Sequence, residues 1–248
     1  MMPGLLVTGG SRGIGRAVAV LAAARGWPVA VNYAGNADAA AATVDAIVKA
    51  GGRAIAVRGD VASEADVIAM FDATQAAFGA VGGLVNNAGI VAPAGRLADM
   101  DLARMRRVFD VNVVGAYLCA REAVRRMARS RGGAGGAIVN VSSMAAVLGG
   151  ANEYVDYAGS KGAVDTLTVG LAREVGIDGV RVNAVRPGVI DTEIHASGGR
   201  PDRAAQLGPQ TPLGRAGTAH EVAEAIVWLL SDAASYVNGA ILNVSAGR

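Results

Sequence analysis

The chain has one cysteine, Cys119. That excludes an internal disulfide and any cysteine-rich metal site. Its two histidines, His195 and His220, stand far apart and form no ligand pattern, so no metal centre is expected. A large excess of charge of either sign is lacking. The formal net charge is +2, too small to imply a nucleic-acid surface. No apolar run reaches the length of a membrane span. The N-terminus enters strand-like sequence at once, Leu5-Leu6-Val7-Thr8, with no leader pattern. Internal repeats and linkers are lacking as well. These absences point to a cytoplasmic protein that is one domain over residues 1–248, handles small molecules, and engages neither nucleic acid nor membrane.

Apolar residues are plentiful. The 248 residues are 52% hydrophobic and 18% charged, which supports a sizeable core and argues against disorder. Glycine, at 35 residues, has roughly twice its average share. Many tight turns and close backbone approaches follow from that.

Leu5–Thr8 reads as a short apolar strand, and Arg16–Arg25 as an alanine-rich helix. Between them lies Thr8-Gly9-Gly10-Ser11-Arg12-Gly13-Ile14-Gly15. Strand, glycine turn and helix together make a phosphate-binding loop credible. The glycines let the backbone approach a pyrophosphate, and the helix N-terminus offers unpaired N–H groups. A second strand, Pro28–Asn32, leads to Asn32-Tyr33-Ala34. An acid at that place would hold the 2′-hydroxyl of NAD. None stands there, and Arg12 sits in the glycine loop. An arginine suits a 2′-phosphate, so NADP(H) is expected in preference to NAD(H); an ordinary solvated loop arginine is the plainer alternative.

Further on, Asp38–Ala50 is a helix stopped by Gly51-Gly52, and Arg53–Arg58 a third strand. Ser63 and Asp66 resemble a capping box for a helix over 64–78. Asp60 is either an acceptor for an adenine amino group or a turn residue. Gly83–Asn86 forms a fourth strand, entering Asn87-Ala88-Gly89. One long helix is expected over Asp101–Arg129, with Asn112 among apolar neighbours and therefore hydrogen-bonded. Its arginines, Arg121, Arg125, Arg126 and Arg129, together with Arg131, are expected on a solvated face.

Ile138–Val141 is a β-branched run, a buried strand, and Ser142 and Ser143 stand at its end. After a glycine-containing loop comes a helix to about Val175 that carries Tyr157 and Lys161. Positions i and i+4 share one helix face, about 6 Å apart. A cation beside a phenol lowers its pKa, which makes the pair a proton-transfer device. An amphipathic helix with a snorkelling lysine would show the same spacing. A sixth strand, Gly179–Val185, is broken by Pro187-Gly188. Residues 190–215 read as a mobile lid with one or two short helices. Thr218 caps a helix over 219–230, and Ala240–Val244 is the last strand. Seven mostly parallel strands alternating with helices on both faces make a Rossmann-type doubly wound α/β sheet.

Thr8-Gly9…Gly13-Ile14-Gly15, Asp60-Val61, Asn86-Asn87-Ala88-Gly89, Asn112, Ser143, Tyr157…Lys161 and Pro187-Gly188, in that order, resemble the short-chain dehydrogenase/reductase family over essentially the whole chain. The resemblance implies roles. Gly9, Ser11, Arg12, Gly13, Ile14 and Gly15 would hold the cofactor pyrophosphate side, with Asn32 and Tyr33 at the second strand end. Asp60 and Val61 would meet adenine, and Asn87, Ala88 and Gly89 its ribose side. Tyr157 would be the general acid/base, Lys161 would tune it and bind the nicotinamide ribose, and Ser143 would orient the substrate oxygen. Asn112 would hold a water in a relay with Lys161. Pro187, Gly188, Val189, Ile190 and Thr192 would line the nicotinamide.

Neighbouring strand residues face opposite sides, so only one of Ser142 and Ser143 can serve, and Ser143 matches the family's position. Tyr154 is expected at the pocket rim. Between Ser143 and Tyr157 the chain has one residue more than many members carry. Most members are homotetramers, with the 101–129 and 154–175 helices at an interface. The glycine loop and Asn32-Tyr33 resemble the 3-oxoacyl-carrier-protein reductases. Asp156, where these commonly have Asn, and the turn Gly176-Ile177-Asp178-Gly179, where they tend to carry a basic residue, depart from them. A sugar or polyol dehydrogenase, a general carbonyl reductase, and a non-catalytic NADP-binding sensor or scaffold are the other readings.

Overall fold

Leu5 and Val7 point into one hydrophobic cluster, and Leu6 between them into another. This period-two alternation, with both faces buried, marks a strand inside a sheet covered on two sides. The computed structural model describes residues 2–247. In chain order they form β1 (Gly4–Val7), α1 (Gly13–Ala24), β2 (Val29–Tyr33), α2 (Ala37–Lys49), β3 (Ala54–Arg58), α3 (Glu64–Phe78) and β4 (Val81–Asn86). Then come α4 (Leu102–Phe109), a π-helical turn (Asp110–Val114), α5 (Gly115–Met127), β5 (Gly136–Val141), α6 (Ala145–Leu148), α7 (Val155–Val175) and β6 (Val180–Pro187). The chain closes with β7 (Ile190–Asp191), α8 (Ile194–Ser197), α9 (Arg203–Leu207), β8 (Gly217–Thr218), α10 (Ala219–Leu230) and β9 (Ile241–Val244).

The main sheet has the order β3-β2-β1-β4-β5-β6-β9, and every pairing in it is parallel. This is a Rossmann-type doubly wound α/β fold. Strand order reverses between β1 and β4, the place where ligands bind in such sheets. On one face Val18, Val29, Val139 and Ile226 pack between α1, α10 and the sheet. On the other, Met70, Phe71, Leu84, Met127 and Ile138 pack under α3 and α5. β7 and β8 form a separate two-stranded piece, which the sequence pattern did not predict.

Several local expectations need correction. The single helix over 101–129 is two α-helices joined by the π-turn, with Asn112 at its centre. An extra residue in a helical turn re-aims the side chains there. Asn112 uses that geometry to hold Ile90: its Oδ1 accepts from Ile90 N–H at 2.8 Å, and its Nδ2 donates to Ile90 C=O at 2.9 Å. Ser63 caps α3, accepting from Asp66 N–H, but only half of the capping box forms. Asp66 accepts from the N–H of Asp60 at 2.9 Å instead of that of Ser63, which pins the end of β3. The box at α10 is complete, between Thr218 and Glu221. The arginine face is not simply solvated: Arg121 pairs with Glu64, and Arg126 with Asp72 and Glu122. Acids on α3 lie opposite these arginines and take up their charge. Among the described residues, no helix is long and apolar enough to cross a membrane.

Candidate active site

The glycine loop turns back between β1 and α1 because no side chain fits there. Gly9 and Gly13 have φ of +61° and +52°, a region that favours glycine. A Cβ on Gly15 would lie 2.3 Å from Gly9 C=O and 2.5 Å from Asn87 Nδ2. Asn87 braces the loop, its Nδ2 donating to the carbonyls of Thr8 and Gly9. Thr8 Oγ1 accepts from the N–H groups of Asn87 and Ala88, both at 2.9 Å. α1 starts from Arg12 without a side-chain cap, so its first N–H groups remain open to an anion. This cradle fits a pyrophosphate.

Asn32 does not face that cradle. It is 2% exposed; its Oδ1 accepts from Gly9 N–H at 3.0 Å, and its Nδ2 donates to Gly59 C=O at 3.0 Å. It ties the glycine loop to the end of β3, so an amide at the end of β2 serves the loop and not a ligand. Tyr33 is half-buried against the α1 side of the core. The Arg12 side chain is exposed, with no ion pair or hydrogen bond among the described residues. Asp60 accepts from Ala62 N–H and from Arg107, which makes it a turn residue with a salt bridge. Val61 is buried against α5, where a Cβ on Gly115 would come within 2.7 Å of it.

A cleft of about 390 Å³ opens above the C-terminal ends of β4, β5 and β6. Ile14, Asn87 and Gly89 line it on one side, and Pro187, Gly188, Ile190 and Thr192 on another. Ser143, Tyr157 and Lys161 stand between them. Ser142 and Ser143 divide as successive strand residues must. Ser142 is buried, and its Oγ donates to Lys161 C=O at 3.2 Å. Ser143 faces the cleft beside Tyr157, and its Oγ accepts from Ala145 N–H at 3.1 Å. The segment between Ser143 and Tyr157 carries the short helix α6. Tyr154 stands at the rim, edge-on to Tyr157 with ring centres 5.8 Å apart.

Lys161, one of two lysines in the chain, is 4% exposed. Its Nζ donates to Val141 C=O at 2.7 Å. A Cβ on Gly89 would lie 3.4 Å from that Nζ and 3.3 Å from Asn112 Oδ1, so Gly89, Asn112 and Lys161 converge. Asn112 is engaged by Ile90 and also donates to Ser160 Oγ at 3.0 Å. The expected lowering of the phenol's pKa does not appear in the cofactor-free protein. Burial pushes Tyr157 up to about 12, against a smaller downward pull from Ser143. Burial also brings Lys161 down to about 8. Desolvation is the largest influence on each and disfavours its charged form.

The cleft's outer wall is formed by Glu153, His195, Arg200 and Arg203; the sequence pointed to the lid over 190–215 and the stretch from Ala145 to Tyr154 without singling out these four. Glu153 Oε1 accepts from Arg200 at 2.5 Å and from Arg203 at 2.8 Å. Arg203 also donates to the Tyr154 hydroxyl. The sequence signal was an acid next to Tyr154 and two arginines in the polar 190–215 segment, which the structure folds into β7, α8 and α9.

The family model described as enoyl-(acyl carrier protein) reductase matches residues 9–248. A relative from Escherichia coli K12, the uncharacterized oxidoreductase YgfF, is 53% identical over 98% of both chains. The chain belongs to the short-chain dehydrogenase/reductase family. Another member, cis-4-hydroxycyclohexanecarboxylate dehydrogenase of Sinomonas cyclohexanicum, is 43% identical over 98% of this chain and 94% of its own. A short-chain dehydrogenase from Burkholderia cenocepacia, solved in complex with NADP, superposes with a TM-score of 0.90 at 34% identity, covering 99% and 97% of the two chains. Short-chain dehydrogenase/reductases are oxidoreductases that bind a nicotinamide cofactor and act on alcohol or ketone groups, and this chain is an enzyme of that family.

Proposed function

We propose that the protein is an NADP(H)-dependent oxidoreductase interconverting a ketone and a secondary alcohol, with Tyr157 as general acid/base. The observation that carries this reading is the meeting of the Ser143 hydroxyl and the Tyr157 phenol in the cleft, with the Lys161 ammonium behind them. When bound, the nicotinamide supplies or takes up the hydride. The chain does the rest. Gly9, Ser11, Gly13, Ile14 and Gly15 form the pyrophosphate cradle, and Gly89, Pro187, Gly188, Ile190 and Thr192 wall the nicotinamide end. During reduction Ser143 donates a hydrogen bond to the oxygen as charge builds on it, and Tyr157 passes it the phenolic proton. Oxidation runs the same groups in reverse. Asn112 fixes Ile90 and so the floor near Lys161; any relay through it runs by its main chain.

Three observations support NADP(H) over NAD(H). No acid ends β2, and the Arg12 side chain is exposed beside the cradle with no partner among the described residues. The Burkholderia neighbour was solved with NADP. The whole chain acts as one cofactor-binding unit, with 190–215 as its substrate lid, in the cytoplasm. Leu102, Phe109, Val114 and Tyr117 expose apolar surface on α4, the π-turn and α5, which a homotetramer would cover.

Reduction of a carrier-bound 3-oxoacyl group has less behind it, since Arg125 and Arg126 already pair with acids of their own chain. A screen of ketones with NADPH and with NADH tests the proposal. Oxidation of NADPH by one ketone class is expected. No oxidation of either cofactor across a broad panel would favour a non-catalytic binder.

A further inference from the structure

The outer wall of the cleft carries more positive charge than its own residues balance. Arg200 and Arg203 both donate to the same oxygen of Glu153. One carboxylate therefore serves two guanidiniums. Glu153 stays ionised, because the hydrogen bond from Arg203 holds its carboxyl below the usual range. The other contacts of the two arginines are neutral: Arg203 with the Tyr154 hydroxyl and Arg200 with Gln206. His195 makes its ring contact with Ile190 C=O. The side chain of Arg203 is only 14% exposed. A guanidinium so withdrawn from water, with one positive charge left over in the group, is stabilised by a further anion.

The surplus lies in the same cleft as the reacting groups, with Tyr154 between. The Arg203 guanidinium lies 5.1 Å from the Tyr154 ring centre, and that ring 5.8 Å from the Tyr157 ring. The walls between are apolar: Val91, Ala92, Met144, Leu148 and Ile194. The cleft of about 390 Å³ must admit the nicotinamide end of the cofactor as well, so little room remains for a substrate. We propose that the substrate is a compact keto or hydroxy acid, its carboxylate received by Arg200 and Arg203 while its reacting carbon lies at Ser143 and Tyr157. A surplus of one charge matches a carboxylate, and the planar fork of arginine binds that group in two-pronged fashion. Glu153 holds the pair until the substrate arrives. The proposal rests on the reading of Ser143 and Tyr157 as the reacting end.

The test compares matched probes on the purified enzyme: an oxocyclohexanecarboxylate with its methyl ester, and levulinate with methyl levulinate. At least one acid is expected to exceed its ester in kcat/KM by about tenfold or more, as loss of a charge-assisted hydrogen bond implies. Arg203→Gln should shrink that ratio by raising KM for the acid, with Arg203→Lys restoring part of it. Glu153→Gln should lower KM for the acid, since it frees the arginines. A structural latch predicts instead that both variants weaken acid and ester alike. Cyclohexanecarboxylate should inhibit competitively, and cyclohexanecarboxamide should not. Esters used as well as acids by the parent enzyme, or an unchanged ratio in Arg203→Gln, would overturn the proposal and leave the reductase reading standing. Failure to turn over any ketone, charged or neutral, would overturn both.

Discussion

Lys161 gives its ammonium to the carbonyl of Val141 at 2.7 Å and stands 5.7 Å from the centre of the Tyr157 ring. The cation serves the strand end first and the phenol second. Burial brings its pKa down to about 8, so it is still mostly an ammonium at neutral pH, and burial holds Tyr157 protonated there.

The direction of the pH dependence follows. Tyr157, pushed up to about 12, is protonated at neutral pH. Ketone reduction needs that acid form; alcohol oxidation needs the phenolate, whose population grows as pH rises toward the pKa. The kcat/KM for oxidation should therefore climb with pH from neutrality, while that for reduction stays level or falls. Paired pH profiles check this. An oxidation rate that declines from pH 7 to about pH 9 would contradict it.

The two serines should separate cleanly. Ser143→Ala removes a donor to the substrate oxygen and should lower kcat about a hundredfold or more, with little change in melting temperature. Ser142→Ala removes a buried hydrogen bond to Lys161 C=O and should destabilise the fold by about 1 kcal/mol, with a smaller effect on kcat. Steady-state kinetics beside thermal unfolding distinguish them. A larger loss of kcat in the Ser142 variant would reverse the assignment.

Arg12 carries the cofactor preference. Arg12→Ala should weaken NADPH binding by about tenfold or more, the equivalent of one charge-assisted hydrogen bond, and leave NADH binding nearly unchanged. Titration by cofactor fluorescence measures both. Equal loss for the two cofactors would place Arg12 on the pyrophosphate and not on the 2′-phosphate.

Much of this was legible in the sequence because it is local. The strands at Val29–Val31 and Ile138–Val141 are buried on both faces, so valine and isoleucine dominate them. The glycine loop shows its strand, turn and helix in consecutive residues, and Tyr157 and Lys161 share a helix face by spacing alone. What escaped depends on distance or on very short elements. α6 spans four residues, too few to show a helical period. The π-turn at Asn112 lies inside an unbroken helical pattern, and only its contact with Ile90 reveals it. Asn32 looked like a cofactor neighbour because its partners, Gly9 and Gly59, lie on other strands' loops. The ties from Glu153 to Arg200 and Arg203 span about fifty residues, and no periodicity encodes them. The phenol's pKa was misjudged because spacing reports the nearby cation but not the burial that outweighs it.

Tyr157→Phe tests the central claim most directly. It keeps the ring and its contact with Tyr154 while removing the proton that the substrate oxygen receives. With a ketone from the screen, kcat should fall by about a hundredfold to ten-thousandfold, and the NADPH dissociation constant should stay within about twofold of the parent's. A variant that keeps kcat within a few-fold of the parent would show that another group supplies the proton.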